Sequence, residues 1–219
     1  ALAGSVLCLP VLRALATTAR GDASRTLRKP ADDRASFLRL AIAVVGRSVT
    51  FVGLSTFLAV YAQQRVPGGV LAGTTALFVL YLGGAVGTIA GGRLAKRWDR
   101  VTVVRYAYLL TVPAVAGVVF VPGPTFYLFV AATSAGLYVP FSLQVTLGQD
   151  YLPSRVGTAS GITLGLTITI GGLASPLIGA LSDATSLRFA LAPLIAMPAL
   201  SWLMARTLPE PAVAVATNR

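Results

Sequence analysis

The chain has 219 residues, 55% of them hydrophobic and only 11% charged, with a mean hydropathy of +0.77. Ordinary globular proteins carry roughly a quarter charged residues, so this composition excludes a typical soluble domain. Histidine is absent and cysteine occurs once, at Cys8. These counts exclude a histidine acid–base site and an internal disulfide, and they argue against zinc or haem.

A bilayer core of about 30 Å needs about 20 apolar residues at about 1.5 Å rise each. Residues 1–12 are apolar but too short to cross, and are expected to be the end of a preceding transmembrane helix. Residues 13–37 are polar, contain Pro30 and mix both charge signs, which predicts a cytoplasmic linker. A six-helix domain is expected over residues 38–208, with spans at 38–61, 69–92, 101–121, 124–148, 157–181 and 188–207. Residues 209–219 are expected to form a disordered cytoplasmic tail. The apolar runs are continuous, without the two-residue alternation of a barrel, so the fold class is an all-α membrane protein.

The net charge of +11 would suit a nucleic-acid partner if the cations were gathered on one surface. They instead divide between alternate connections: fifteen fall on one side and two, Arg65 and Arg188, on the other. That asymmetry follows the positive-inside rule and predicts a multi-pass protein of the cell (inner) membrane with a cytoplasmic C-terminus. Nucleic acid is not an expected partner.

Polar residues align on particular helical faces. Arg47, Ser48 and Ser55 share an arc of the first span, and Thr74, Tyr81 and Thr88 recur every seven residues in the second. Tyr127, Ser134, Tyr138, Ser142 and Gln149 line one face of the fourth, and Ser160, Thr163 and Thr167 one face of the fifth. The third and sixth spans have no such stripe and are expected to face lipid. Four polar stripes together point to a shared wet cavity, although any one of them would serve equally to bond helix to helix. Gly83, Gly87 and Gly91, and likewise Gly157, Gly161 and Gly165, recur every four residues and predict close helix packing.

Arg47 is the sharpest single residue. It lies about 13 Å into its span, too deep for easy snorkelling, and no acid of the chain is predicted at membrane depth. Guanidinium pairs bidentately with carboxylate or phosphate, so Arg47 is expected to anchor an anionic group, with a structural ion pair as the alternative.

The stretch Gly91-Gly92-Arg93-Leu94-Ala95-Lys96-Arg97-Trp98-Asp99-Arg100 resembles the G-G-x-L-A-D-R-x-G-R loop of the major facilitator superfamily. Lys96 stands where that motif has Asp, and Asp99 where it has Gly, so the acid implied to latch a cytoplasmic gate is missing from its position. Arg47-Ser48 with Phe51-Val52-Gly53-Leu54-Ser55-Thr56-Phe57-Leu58 is similar to the seventh helix of the fosmidomycin resistance protein family. The run from Gly148-Gln149-Asp150 through Pro153, Arg155 and Gly161 is similar to its junction between helices ten and eleven. The chain thus resembles the C-terminal six-helix half of such a transporter, helices seven to twelve. The resemblance implies a twelve-helix exporter of small molecules or drugs, driven by proton antiport and working by alternating access with an N-terminal six-helix half that this chain lacks.

In that fold the seventh and tenth helices line the central cavity, which makes Arg47, Ser55, Tyr127, Ser134, Tyr138 and Ser142 the expected cavity residues. Gly92, Arg93, Arg97, Asp99 and Arg100 are the expected cytoplasmic gate loop. The partners implied are a small-molecule substrate, anionic if Arg47 binds it, together with protons and the lipid bilayer. An uptake carrier for a small anionic metabolite and an inactive scaffold half are the competing readings. The chain has neither G-x-S-x-G nor H-E-x-x-H, so no enzymatic activity, cofactor or metal is expected.

Overall fold

The computed structural model describes residues 31–211, all of whose regular elements are helical. Helix α1 spans Arg34–Arg65, α2 Val70–Leu94, α3 Arg100–Phe120, α4 Phe126–Tyr151 and α5 Val156–Ala184. The sixth span, Leu187–Arg206, is built from α6 (Leu187–Leu191), a 3-10 turn over Ala192–Ile195 and α7 (Ala196–Arg206). Each of the six spans is long and apolar enough to cross a membrane. The predicted helix within residues 1–12 and most of the predicted linker and tail lie outside the described residues.

Local chemistry sets the ends. Asp33 accepts a hydrogen bond from the Ser36 amide at 3.0 Å and caps α1, so that helix begins at Arg34, inside the predicted linker. At its other end Val66 turns extended before Pro67, and Gly68 and Gly69 take φ of 128° and 56°, a region open chiefly to glycine. The sixth span breaks where Pro193 removes an amide donor, and the chain tightens into 3-10 geometry there. Pro209 and Glu210, placed in the expected tail, are held by the helices: the Tyr151 hydroxyl donates to the Pro209 carbonyl at 2.6 Å, and Glu210 accepts from the Val101 amide at 2.8 Å.

Helix α1 is the hub, packing on α5, α7 and α2, while α2 and α3 both pack extensively on α4. The α2–α4 contact depends on small residues. Added side-chain carbons at Gly84 and Gly91 would sit 2.6 Å from the Tyr138 ring and 2.7 Å from the Val139 carbonyl. The Gly83–Gly87–Gly91 stripe therefore packs as its spacing predicts. The second stripe does not, because Gly157, Gly161 and Gly165 have no atoms within 4 Å of such a carbon. Burial also departs from the division by polar stripes. Helix α5 is the barest span, with 17% of its most apolar stretch buried against 61% for α1 and 50% for α3. A face that meets water and a face that meets lipid are equally bare within six helices, so exposure does not follow polarity here.

Two apolar clusters fill the interior. One, around Leu58, Tyr61, Leu80, Val118, Phe126 and Leu191, lies towards the Arg65 end. The other, around Leu40, Val104, Tyr108, Leu147, Tyr151 and Leu208, lies towards the Asp33 end. The buried polar side chains Arg47, Thr111 and Thr163 come from the stretches of helix between these clusters, and Thr133 and Ser134 lie within the first, between Val130 and Leu137.

Candidate functional site

Arg47 extends from the middle of α1 into this polar layer. Its Nη2 donates to Thr167 Oγ1 of α5 at 3.0 Å, and its Cζ lies 4.9 Å from the centre of the Phe141 ring of α4. The residue is 4% exposed, and its Nε has no hydrogen-bond partner. Thr167 in turn donates to the Thr163 carbonyl at 3.1 Å, which leaves its oxygen free to accept from the guanidinium. The described acids, Asp32, Asp33, Asp99, Asp150, Asp183 and Glu210, all lie at or beyond helix ends, so no carboxylate among the described residues reaches this level.

The charge is therefore held by one hydroxyl and one aromatic face. A hydrogen bond to a charged group contributes about 1.5–3 kcal/mol and a desolvated cation–π contact about 2 kcal/mol. Placing an arginine at the centre of a membrane helix costs about 2.5–3.5 kcal/mol on insertion scales. The unpaired Nε adds a further desolvation cost of about 1–3 kcal/mol. Gains and costs nearly cancel, and the arginine retains an unused donor that an anion would take up.

One turn along α1 from Arg47, Phe51 meets Tyr138 edge-on, with ring centres 5.4 Å apart at 87°. Tyr138 is half-buried and lies one turn from Phe141 on α4, so two rungs, Arg47–Phe141 and Phe51–Tyr138, join these helices. Ser55 continues the same face of α1; it is half-buried and bonds its own Val52 carbonyl at 3.1 Å. Ser142 is half-buried next to Phe141.

Two expected cavity residues are used differently. Ser134 is fully buried and donates to the Leu80 carbonyl, and Tyr127 donates to the Ala72 carbonyl at 3.2 Å. Both fasten α4 to α2, because a hydroxyl facing a closely packed neighbour finds a backbone acceptor before it finds water. In α2, Thr74 and Thr88 likewise bond carbonyls of their own helix.

Reading single stripes missed Phe141, Thr133 and the pair Tyr108–Gln144. Gln144 Nε2 donates to the Tyr108 hydroxyl at 2.6 Å between α3 and α4, while Gln144 Oε1 and Thr133 Oγ1 have no partner. A glutamine within a membrane span was the available signal for this pair.

At the Asp33 end the predicted gate residues separate. Arg100 pairs with Asp150 at 2.6 Å and Glu210 at 3.1 Å, joining α3, α4 and the C-terminal segment. Gly92, Arg93, Arg97 and Asp99 are exposed, and the charged members of this set form no ion pair among the described residues. Nearby, hydrogen bonds from Ser154 hold the Asp32 carboxyl below its usual range, and the Ser36 side chain and amide do the same for Asp33.

Residues 2–176 match the family model described as Major Facilitator Superfamily. The chain belongs to the Major Facilitator Superfamily. Among curated proteins it is 31% identical over 134 residues to the uncharacterized MFS-type transporter YfnC of Bacillus subtilis, covering 61% of this chain and 33% of that protein. It is 23% identical over 148 residues to the fosmidomycin resistance protein of Escherichia coli, covering 68% and 36% respectively. Two crystal structures of the superfamily transporter FucP share the fold. The Escherichia coli fucose:proton symporter matches with a TM-score of 0.72 at 19% identity, over 80% of this chain and 43% of that one. FucP in the outward conformation matches with a TM-score of 0.72 at 20% identity, over 85% and 44%. The matches thus span less than half the length of each of these superfamily relatives. The six spans form a six-transmembrane-helix half-bundle of a superfamily transporter.

Proposed function

We propose that this chain forms part of a secondary active transporter that exports small anionic molecules by proton antiport and alternating access. In this reading a second six-helix half completes the cavity, and the bundle lies in the cell membrane with its Asp33 end and C-terminus in the cytoplasm. The observation that carries the reading is Arg47, a buried guanidinium with an unused donor and no carboxylate at its level among the described residues. Arg47, Ser55, Tyr138 and Ser142 are the positions assigned to substrate, with Ser134 and Tyr127 holding α4 against α2. The similarity to the fosmidomycin resistance protein supports export as the direction, and the fifteen-to-two division of cations supports the orientation.

The test uses inverted membrane vesicles from cells expressing the full-length protein, supplied with labelled small carboxylates and phosphonates. Accumulation driven by an acidic lumen and abolished by a protonophore is expected. Accumulation by whole cells and not by inverted vesicles would reverse the direction, and indifference to the protonophore would remove proton antiport.

A further inference from the structure

The segment between α2 and α3 carries more than a gate would use. Arg93, Lys96 and Arg97 are exposed and unpaired among the described residues, and with Leu94 and Trp98 they line a cavity of about 500 Å³. A second cavity of about 520 Å³ shares Arg97 and Trp98 with the first and is bordered also by Asp99, Thr102 and Tyr106. Below both, a narrow apolar groove of about 170 Å³ descends between α2, α3 and α4. It shares Leu94, Trp98 and Tyr106 with the upper cavities and continues past Leu110 to Gly136 and Val139. Trp98 and Tyr106 stand over it, 56% and 61% exposed, with ring centres 6.4 Å apart.

We infer that this is a binding site for one anionic phospholipid. Its phosphate meets Arg93, Lys96 and Arg97, and one acyl chain lies in the groove beneath Trp98. Three observations select this occupant over a soluble anion. The cations sit at the end of two membrane spans, where headgroups lie; amphipathic aromatics mark the interfacial level; and the groove beneath is apolar and runs towards the bilayer centre. Asp99 borders the second cavity and not the first, so its charge disfavours the phosphate there and leaves the cavity lined by Arg93, Lys96 and Arg97 for it.

The test is tryptophan quenching in nanodiscs, using the full chain with Trp202→Phe so that Trp98 is the sole reporter. Brominated phosphatidylglycerol is expected to bind near Trp98 about fivefold more strongly than brominated phosphatidylcholine. The preference should collapse in 1 M salt, where the screening length is about 3 Å. The combined variant Arg93→Gln, Lys96→Gln, Arg97→Gln should bring the ratio to about one, whereas lysine at positions 93 and 97 should preserve it. Equal quenching by both lipids in the reporter chain, or a preference unchanged in the glutamine variant, would overturn the inference. Displacement by excess glycerol phosphate would overturn it in favour of a free-phosphate site. Native mass spectrometry of the unmodified chain from mixed nanodiscs checks the same preference without substitution, and equal adducts of both lipids would refute it. Both leaflets of a nanodisc carry the same lipids, so these outcomes bear on the pocket alone and are independent of the vesicle flux that tests the carrier.

Discussion

Replacing Arg47 by Met separates a substrate anchor from a structural cation. The substitution removes the hydrogen bond to Thr167 and the contact with Phe141. Those losses amount to about 3.5–5 kcal/mol on the magnitudes for charged hydrogen bonds and desolvated cation–π pairs. It also removes the cost of holding a charge at membrane depth and of leaving Nε unpaired, together about 3.5–6.5 kcal/mol. Methionine fills a similar apolar volume, so the net change in stability is expected within about 1–2 kcal/mol of zero. Transport of an anion should behave otherwise. Loss of a charge-assisted contact worth about 3 kcal/mol lowers affinity by about two orders of magnitude, since each 1.4 kcal/mol is tenfold. The assay is thermal denaturation of the purified protein beside flux of a labelled anion in inverted vesicles. Unchanged flux with a melting temperature lowered by several degrees would refute the anchor and leave Arg47 a structural residue.

Gly91→Ala should lower the melting temperature markedly, because its Cβ would lie 2.7 Å from the Val139 carbonyl, whereas Gly161→Ala should leave it unchanged or raise it. A comparable loss at both positions would contradict the packing assigned to α2. Ser134→Ala should cost about 1 kcal/mol of stability through its lost bond to the Leu80 carbonyl, with anion flux preserved. Flux lost at full stability would return Ser134 to the cavity. Asp32 and Asp33 have folded pKa values below the ordinary 3.8, so the stability they contribute is present above that value and is lost as pH falls below it. Hydrogen-exchange protection at the start of α1 and around Ser154, taken relative to the intrinsic rate at each pH, should therefore fall below about pH 4, and protection unchanged by acid would dismiss both contacts.

Spans, their order and the family resemblance were legible along the chain because lipid imposes a length and a polarity that each helix meets by itself. The stop at Val66-Pro67-Gly68-Gly69 and the cap at Asp33 are likewise local chemistry. Arg47 stood out for the same reason, since a cation far from any span end is costly wherever its helix turns. Partners were decided only by packing. Steps of seven and eight residues place Tyr127, Ser134 and Ser142 on one face of α4, but that face twists past two neighbours. Ser134 meets the backbone of α2, while Phe141, one residue before Ser142, meets the guanidinium of α1. The two glycine stripes have identical spacing, yet one lies against α4 and the other opens outward. Periodicity determines which residues share a face. What that face touches depends on the positions of all six helices at once, and this belongs to the tertiary structure.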